Sequence, residues 1–101
     1  MDIALGLVNL ALGESDAADR ATLVELAARH GCRLTEVVIV DEQTYMPTTL
    51  ITHTAHMLGA VVILAPSAEH FGSAAKALAL ACTLITPRTV IPRAPGWTPY
   101  R

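Results

Sequence analysis

The sequence predicts an α/β domain in which helices cover both faces of a mainly parallel sheet. Apolar runs rich in β-branched residues alternate with helical segments along the chain, and this alternation is typical of strands joined by right-handed crossovers. Apolar residues make up 52% of the 101 residues and charged residues 16%, so the chain can form a core and is not expected to be disordered. We expect one three-layer domain of about four strands over residues 1–91, followed by a proline-rich arm or linker over residues 92–101.

The first strand and the first helix are predicted from the change in pattern between them. Residues 3–12 lack regular alternation of apolar and polar positions, as expected for a strand buried on both faces, and Gly6 allows a helix to pack closely. Asp16 is the expected N-cap of a helix over residues 17–30. Gly31 ends this helix, and its 3–4 spacing predicts a buried side formed by Leu23, Leu26, Ala27 and His30.

A second strand is expected over residues 34–40 and a second helix over residues 47–58. Pro47 suits the first turn of a helix, and Gly59 suits its C-terminal end. At about 100° per residue, one side of this helix is expected to carry Leu50, Thr54, Met57 and Leu58, with Ile51 at its border.

The third strand, residues 60–64, leads into a polar loop over residues 65–72. Ser73 is the expected N-cap of a third, alanine-rich helix. Two β-branched stretches then compete for the last strand, residues 83–86 and residues 89–91. The sequence leaves this choice open.

Polar residues follow the second and third strands at the point where each strand ends. The carboxyl ends of parallel strands meet at one edge of the sheet, where open α/β sheets bind their ligands. Asp41 follows the second strand, and the loop after the third strand contributes Ser67, Glu69 and His70. We expect these four residues to border a binding site if the domain has one. The simpler interpretation is that closely spaced polar residues form an ordinary surface loop.

The order of framework residues resembles the N-terminal catalytic domain of the serine recombinases, the resolvase and invertase family. That family has Tyr-x-Arg-x-Ser at the end of its first strand and an Asp after its second. It has Arg-Pro before the next helix and Asp-Arg-Leu-x-Arg-Ser after a valine-rich strand. The resemblance covers residues 3–91 and implies a resolvase-like sheet with strand order 2-1-3-4. The matching positions here are residues 7–11 (LVNLA), Asp41, Met46-Pro47 and residues 68–73 (AEHFGS).

The chain departs from the family at the positions that carry its chemistry. Ala11 stands at the position of the nucleophilic serine, and a methyl group cannot attack phosphorus. The family's arginines, which stabilise charge on a transferring phosphate, are replaced by Asn9, Met46, Glu69 and Gly72. The resemblance therefore implies a catalytically inactive member and not an enzyme. A flavodoxin-like or receiver-like module is the main alternative fold.

No cofactor is expected from the sequence, which has neither a GxGxxG nor a GxxxxGK[S/T] pattern. His53 and His56, at i and i+3 on one helix face, are weak metal candidates. The simpler interpretation is a solvent-facing or interface flank. Cys32 and Cys82 lack a CxxC spacing and are expected to be reduced, buried thiols.

The low charge content indicates a surface that a partner covers, most simply in a homodimer. With a net charge of −2 and no basic run, direct nucleic-acid binding is not expected. No apolar run approaches the roughly 20 residues that span a membrane, and no signal-peptide pattern is evident, so we expect a cytoplasmic protein. The expected contact residues lie on the third helix and on the aromatic arm: Leu78, Ala81, Trp97 and Tyr100.

Three functions are compatible with these features. The first is a non-enzymatic module for self-association or protein interaction, because the framework of the family is kept and its catalytic residues are missing. The second is a small-molecule or nucleotide-binding domain with its site at the carboxyl edge of the sheet. The third, which the missing serine disfavours, is an active serine recombinase.

Overall fold

The computed structural model describes residues 1–13 and 15–94, which form a five-stranded sheet with helices on both faces. The strand order is β2-β1-β3-β4-β5, with β1 to β4 parallel and β5 antiparallel to β4. The predicted α/β class and mainly parallel sheet are confirmed. The predicted number of about four strands is wrong. The sheet has five, because each of the two candidates for the last strand forms a strand of its own. In chain order the elements are β1 (Asp2–Asn9), α1 (Asp16–Arg29), β2 (Cys32–Val40), α2 (Pro47–Leu58), β3 (Val62–Leu64), a 3-10 segment (Ala68–Ala74), α3 (Ala75–Ala81), β4 (Thr83–Ile85) and β5 (Val90–Ile91).

Each face of the sheet has its own buried cluster. One cluster joins α1 to β1 side chains such as Ala4 and Val8. The other joins α2 and α3 to side chains such as Leu5 of the same strand. Strand β1 is therefore buried on both faces, which explains its unbroken apolar run. A Cβ atom at Gly6 would lie 2.9 Å from Leu23 Cδ1, so this glycine permits the close packing of α1.

Strand β1 ends at Asn9, before the apolar run ends, and the expectation of a strand over residues 3–12 is too long. The Asn9 carbonyl oxygen accepts hydrogen bonds from Leu12 N–H and Gly13 N–H, both at 3.0 Å. The Asn9 side-chain oxygen accepts from Ala11 N–H at 3.0 Å. These bonds form a tight turn of the kind that asparagine favours, and they leave Leu10 and Leu12 exposed.

The ends of helix α1 differ from the prediction by one residue. The Ser15 hydroxyl accepts a hydrogen bond from Ala18 N–H at 3.1 Å, so Ser15 is the N-cap and the assignment to Asp16 is wrong. Because the helix ends at Arg29, His30 is an exposed C-cap residue and does not face the core. The buried side of the helix is formed by Leu23, Leu26 and Ala27.

Helix α2 has the predicted bounds, and Gly59 ends it in the left-handed conformation with φ 70°. Its buried side is not the predicted one. Ile51 and Ala55 face the core, whereas Leu50 and Met57 are exposed. Apolar side chains lie on more than one side of this helix, so its periodicity alone did not identify the side that packs on the sheet.

The expected loop over residues 65–72 is largely helical, because it forms most of the 3-10 segment. The segment kinks at Gly72, whose φ is 56°. Helix α3 follows Ala74 without a side-chain cap, so the prediction that Ser73 is an N-cap is wrong. Leu78 is fully buried in the core. Its prediction as a contact residue is therefore also wrong.

The two cysteines are free and buried, as the sequence predicts. Burial raises the pKa of the Cys32 thiol and of the Cys82 thiol. A buried thiol with a raised pKa is a poor nucleophile, so both side chains act as small apolar groups in the core.

Candidate functional site

The carboxyl ends of the strands meet at one edge of the sheet, beside the 3-10 segment. The sheet has a switch point between β1 and β3, because the chain passes outward from β1 to β2 and then returns to β3. A crevice at a switch point is the usual ligand site of an open α/β sheet. Within the described residues, clefts open along this edge, and three of them, named A, B and C, involve predicted site residues.

Cleft A lies between the end of β2, the start of α2 and the 3-10 segment, and encloses about 200 Å³. Seven positions that carry the resemblance to the serine recombinases line this cleft, although they come from distant parts of the sequence. They are Asn9, Asp41, Pro47 and residues 70–73. The fold therefore brings the predicted framework positions together at one place.

His70 separates cleft A from cleft B and is 5% exposed. Its Nδ1 atom accepts a hydrogen bond from the backbone N–H of Asn9 at 2.9 Å. An imidazole nitrogen that accepts a hydrogen bond carries no proton, so in the neutral ring the proton is on Nε2. Burial lowers the pKa of His70, and the nearby Asp19 and Glu69 carboxylates oppose this effect in part.

Cleft B lies at the switch point itself, between the loops that follow β1 and β3, and encloses about 170 Å³. Leu12 and Thr22 line one side, and Ser67 and His70 line the other. Asp19 also lines this cleft and is only 6% exposed. The structure thus gathers a carboxylate, an imidazole and two hydroxyls around a small space.

The side chains of cleft B have the composition of a Ser-His-Asp triad but not its hydrogen bonding. In a triad the histidine donates from Nδ1 to the carboxylate and accepts the serine proton at Nε2. Here Nδ1 of His70 accepts from Asn9, so Nε2 of the neutral ring is a donor and cannot take a proton from Ser67. The arrangement can donate a hydrogen bond to a ligand, but it does not activate a serine.

Cleft C, of about 450 Å³, lies between the loop after β3 and the loop between β4 and β5. Ser67 lines this cleft as well as cleft B, and the exposed Glu69 faces the same space as Arg88. Thr86 is buried here, and its hydroxyl is bonded to the backbone of Thr89. The predicted binding residues after β3 are therefore divided among neighbouring clefts.

Asp41 holds the loop between β2 and α2. Its Oδ1 atom accepts hydrogen bonds from Gln43 N–H at 2.8 Å and from the Thr44 hydroxyl at 3.2 Å. The Thr44 hydroxyl in turn accepts from Asp41 N–H at 2.9 Å. An aspartate that bonds the backbone two residues later forms an Asx turn. Asp41 thus lines cleft A with its carboxylate already engaged in the loop.

The positions that match the catalytic residues of the serine recombinases carry no comparable groups. Ala11 lies on the exposed turn after β1, and Met46 is an exposed residue in the left-handed conformation with φ 48°. Among the described residues, no lysine or arginine lines cleft A or cleft B. A phosphate in either cleft would therefore lack a cationic side chain to bind it.

His53 and His56 are both exposed on α2. In residues 1–13 and 15–94, no three His, Cys, Asp or Glu side chains are grouped so that they could hold a metal ion. Two histidines without a third ligand complete neither a structural nor a catalytic zinc site.

An apolar groove, the α3 groove, lies between α3 and the chain that follows β5. It encloses about 430 Å³. The chain after β5 is held against α3 by two hydrogen bonds, from Ala94 N–H to the Ala79 carbonyl oxygen at 2.8 Å and from Arg93 Nε to the Leu80 carbonyl oxygen at 3.2 Å. The groove is lined by Ala75, Lys76, Ala79, Leu80, Ile91, Pro92 and Ala94.

The sequence predicted Leu78 as a contact residue of the third helix, but Leu78 is not at the surface. Leu80 is 50% exposed in the groove, whereas Leu78 is in the core. Ala81 is exposed and lines a different cleft, between α3 and α2, and Trp97 and Tyr100 lie outside the described residues. The burial of Asp19 was also missed, because its position in the first turn of α1 indicates only a favourable interaction with the helix dipole.

No family model, curated protein or solved structure matches this chain. The resemblance to the serine recombinases therefore stays a prediction from the sequence. Among the described residues, no helix is long and apolar enough to cross a membrane.

Proposed function

We propose that this domain is a catalytically inactive relative of the serine recombinases that serves as an interaction module and self-associates through the α3 groove. The observation that carries the proposal is the groove itself. Its wall is apolar apart from Lys76, and it leaves Leu80 half exposed on a short helix. Exposed apolar surface of this kind is typical of interaction sites.

The geometry of cleft A supports the inactive character of the domain. The positions that match the family's motifs converge there, but Ala11 offers no nucleophile and no described lysine or arginine lines the cleft. His70, the buried base at this site, uses Nδ1 to hold the end of β1. The alanine at position 11 and the lack of a described cation in cleft A therefore support an inactive domain.

The composition of the α3 surface supports a second copy of the chain as the partner. Ala77 and Ala81 are exposed one helical turn apart, beside Leu80. Small side chains allow two helices to approach closely, and an apolar patch with a single lysine, Lys76, can pack on itself about a two-fold axis without placing like charges at its centre.

The proposal is tested by the oligomeric state of the protein over a range of concentrations. Sedimentation velocity is expected to show a monomer–dimer equilibrium for the wild type and a monomer for Leu80→Asp. Burying one leucine contributes about 1.5–3 kcal/mol, and a two-fold interface loses two of them. The dimer Kd should therefore rise at least about a hundredfold.

Val24→Asp is the matched control, because Val24 is an exposed apolar residue of α1 on the opposite face of the sheet. It should dimerise as the wild type does. Circular dichroism would show that both variants are folded. A wild-type protein that is monomeric at every concentration, or equal effects of the two variants, would contradict the proposal.

A second candidate function is the binding of a small neutral ligand in cleft B. The observation that favours it is the burial of Asp19 and His70 beside a space at the switch point. A ligand with hydroxyl or amino groups could donate to Asp19 and accept from Nε2 of His70. The Asp19 carboxylate would repel a phosphate, so a nucleoside fits this cleft better than a nucleotide does.

The test of the second function compares adenosine with ATP in thermal unfolding at millimolar ligand. Binding to the native state raises the melting temperature. Adenosine should raise it, ATP should not, and Ser67→Ala should reduce the adenosine effect while Val24→Asp leaves it unchanged. An absence of any shift with adenosine would contradict nucleoside binding in cleft B.

A further inference from the structure

The two edges of the sheet differ in how well they are protected from pairing with a further strand. Strand β5, at one edge, has only two residues and lies between Pro87 and Pro92. Short edge strands and prolines both prevent further pairing. Strand β2, at the other edge, runs over nine residues without a proline, and no described strand pairs with its outer side. The β2 edge is therefore a surface to which a strand can be added.

The outer side of β2 presents backbone hydrogen-bonding groups at regular intervals. The Val40 carbonyl oxygen points toward β1, because it accepts a hydrogen bond from Leu10 N–H at 2.9 Å. Alternate positions of a strand direct their backbone groups to opposite sides. Counted by the register with β1, the residues that direct these groups outward include Leu34, Val37 and Ile39. Each of them can bond to a neighbouring strand.

A bulge in β2 brings two opposite charges to one face of the sheet. The register with β1 shifts here, so that Arg33 pairs with Ile3, whereas Glu36, three residues later, pairs with Leu5. Because Ile3 and Leu5 are two residues apart in a regular strand, Arg33 and Glu36 lie on the same face. Both are exposed, and neither forms an ion pair with another described residue. The edge thus carries a positive and a negative side chain next to each other.

The two charged positions are self-complementary about a two-fold axis. If two copies of β2 pair antiparallel with Leu34 of each copy at the axis, Arg33 of each copy lies opposite Glu36 of the other. The outward backbone groups of the two strands then face each other, and the charged residues take the positions between them, where opposite side chains are closest. Charges on an edge usually prevent pairing, but opposite charges directly across an antiparallel pair stabilise it.

We propose that the β2 edge pairs antiparallel with the β2 edge of a second copy of this chain, through two Arg33–Glu36 ion pairs across the axis. The two five-stranded sheets then join into one sheet of ten strands. This surface goes beyond the proposed function, because the α3 groove lies beside β5, at the opposite end of the sheet. A chain that uses both surfaces forms an open array instead of a closed dimer.

The β2 edge is expected to be the weaker of the two surfaces. It contributes backbone hydrogen bonds and exposed ion pairs, and each of these stabilises an interface less than a buried leucine does. The test therefore uses Leu80→Asp, which removes association through the groove, at concentrations above those at which this variant sediments as a monomer. Small-angle X-ray scattering at millimolar protein should show that Leu80→Asp forms an elongated dimer.

Charge reversal in the Leu80→Asp protein tests the register of the two strands. Arg33→Glu or Glu36→Arg places like charges at both contacts and should weaken pairing at least about tenfold. Both reversals in one chain should restore pairing, and so should an equimolar mixture of the two single reversals. Arg88→Glu is the matched control, because it changes the net charge by the same amount as Arg33→Glu but lies on the exposed loop before β5. It should leave pairing unchanged, and circular dichroism would show that all variants are folded.

A Leu80→Asp protein that stays monomeric at millimolar concentration would overturn the proposal. Equal effects of Arg33→Glu and Arg88→Glu would also overturn it, as would a failure of the combined reversals to restore pairing. The result for the groove is separate from these outcomes. Pairing of Leu80→Asp that responds to Arg33 and Glu36 supports the edge even if the wild type does not dimerise at lower concentration. A wild-type dimer that is lost in Leu80→Asp supports the groove even if the edge does not pair.

Discussion

The carboxyl edge of the sheet and the α3 groove are built from opposite kinds of surface. At the edge, polar groups have partners within the fold: Nδ1 of His70 accepts from Asn9, and Asp41 accepts from Gln43 and Thr44. In the groove, the wall is apolar and Leu80 is half exposed. These edge groups are hydrogen-bonded within the fold, whereas the groove has apolar surface that is not covered by described residues.

The polar residues of the edge are of the types that suggest function, but the apolar α3 groove is the surface that can supply binding energy. A buried polar group must have a partner in the folded state, so the buried His70 can be required for folding alone. The exposed Asp41 holds its own loop together. Apolar surface left in contact with water contributes about 25 cal/mol per Å² when it is covered. The α3 groove can therefore drive association even though none of its residues resembles a catalytic group.

The largest expected effect is a difference in stability between substitutions at two leucines of α3, the buried Leu78 and the half-exposed Leu80. Leu78→Ala should lower the free energy of unfolding by about 2–5 kcal/mol, because Leu78 is fully buried and its removal leaves a cavity. Leu80→Ala should lower it by less than about 1 kcal/mol, because Leu80 is half exposed. Urea unfolding at low protein concentration measures both. Equal losses of stability for Leu78→Ala and Leu80→Ala would mean that Leu80 belongs to the core. The α3 groove would then not be the exposed apolar surface that distinguishes it from the carboxyl edge.

The second effect is a pH dependence of the stability, which tests whether a polar group of the edge, His70, stabilises the fold. Burial lowers the pKa of His70 below its ordinary value of 6.5, so the unfolded chain takes up the proton first as the pH falls. The stability that neutral His70 provides is complete above about pH 6.5 and is lost progressively below it, down to the pKa of the folded state. Protonation of Nδ1 also removes the hydrogen bond from Asn9 N–H.

His70→Asn is the matched variant for this pH dependence. The asparagine side-chain oxygen can accept from Asn9 N–H at the position of Nδ1, but it does not titrate near neutral pH. His70→Ala should lose about 1–3 kcal/mol at pH 7.5, because the buried N–H is left without its acceptor, and His70→Asn should lose less. Between pH 7.5 and 5.5, urea unfolding should show a smaller decrease in stability for His70→Asn than for the wild type. Equal slopes would show that His70 does not contribute to the pH dependence.

Local backbone rules were sufficient for parts of the fold. Pro47 and Gly59 fix the bounds of α2 because each acts through its own φ angle, which no distant contact changes. The alternation of apolar runs and helices gave the parallel sheet, and with it the edge at which polar loops gather. The general position of clefts A, B and C could therefore be predicted from the order of the elements.

Features that depend on tertiary contacts could not be predicted in this way. The hydrogen bond between Asn9 and His70 joins residues 61 positions apart, and no local pattern indicates it. The choice between Leu78 and Leu80 depends on how α3 is rotated against the sheet. In α2 the apolar pattern pointed to Leu50 and Met57, but packing on the sheet uses Ile51 and Ala55.

The smallest effect separates two serines that both suggest helix caps in the sequence. Ser15 accepts from Ala18 N–H at 3.1 Å, so Ser15→Ala should lower the free energy of unfolding by about 1 kcal/mol. Ser73 is exposed at cleft A and caps no helix, so Ser73→Ala should change it by less than about 0.5 kcal/mol. Urea unfolding of the two variants side by side measures the difference. A loss at Ser73 as large as that at Ser15 would mean that cleft A depends on this hydroxyl for its structure. If Ser73→Ala leaves the stability unchanged, the Ser73 hydroxyl is available to a ligand. The edge is then held together only by groups that are hydrogen-bonded in the fold, such as His70 and Asp41.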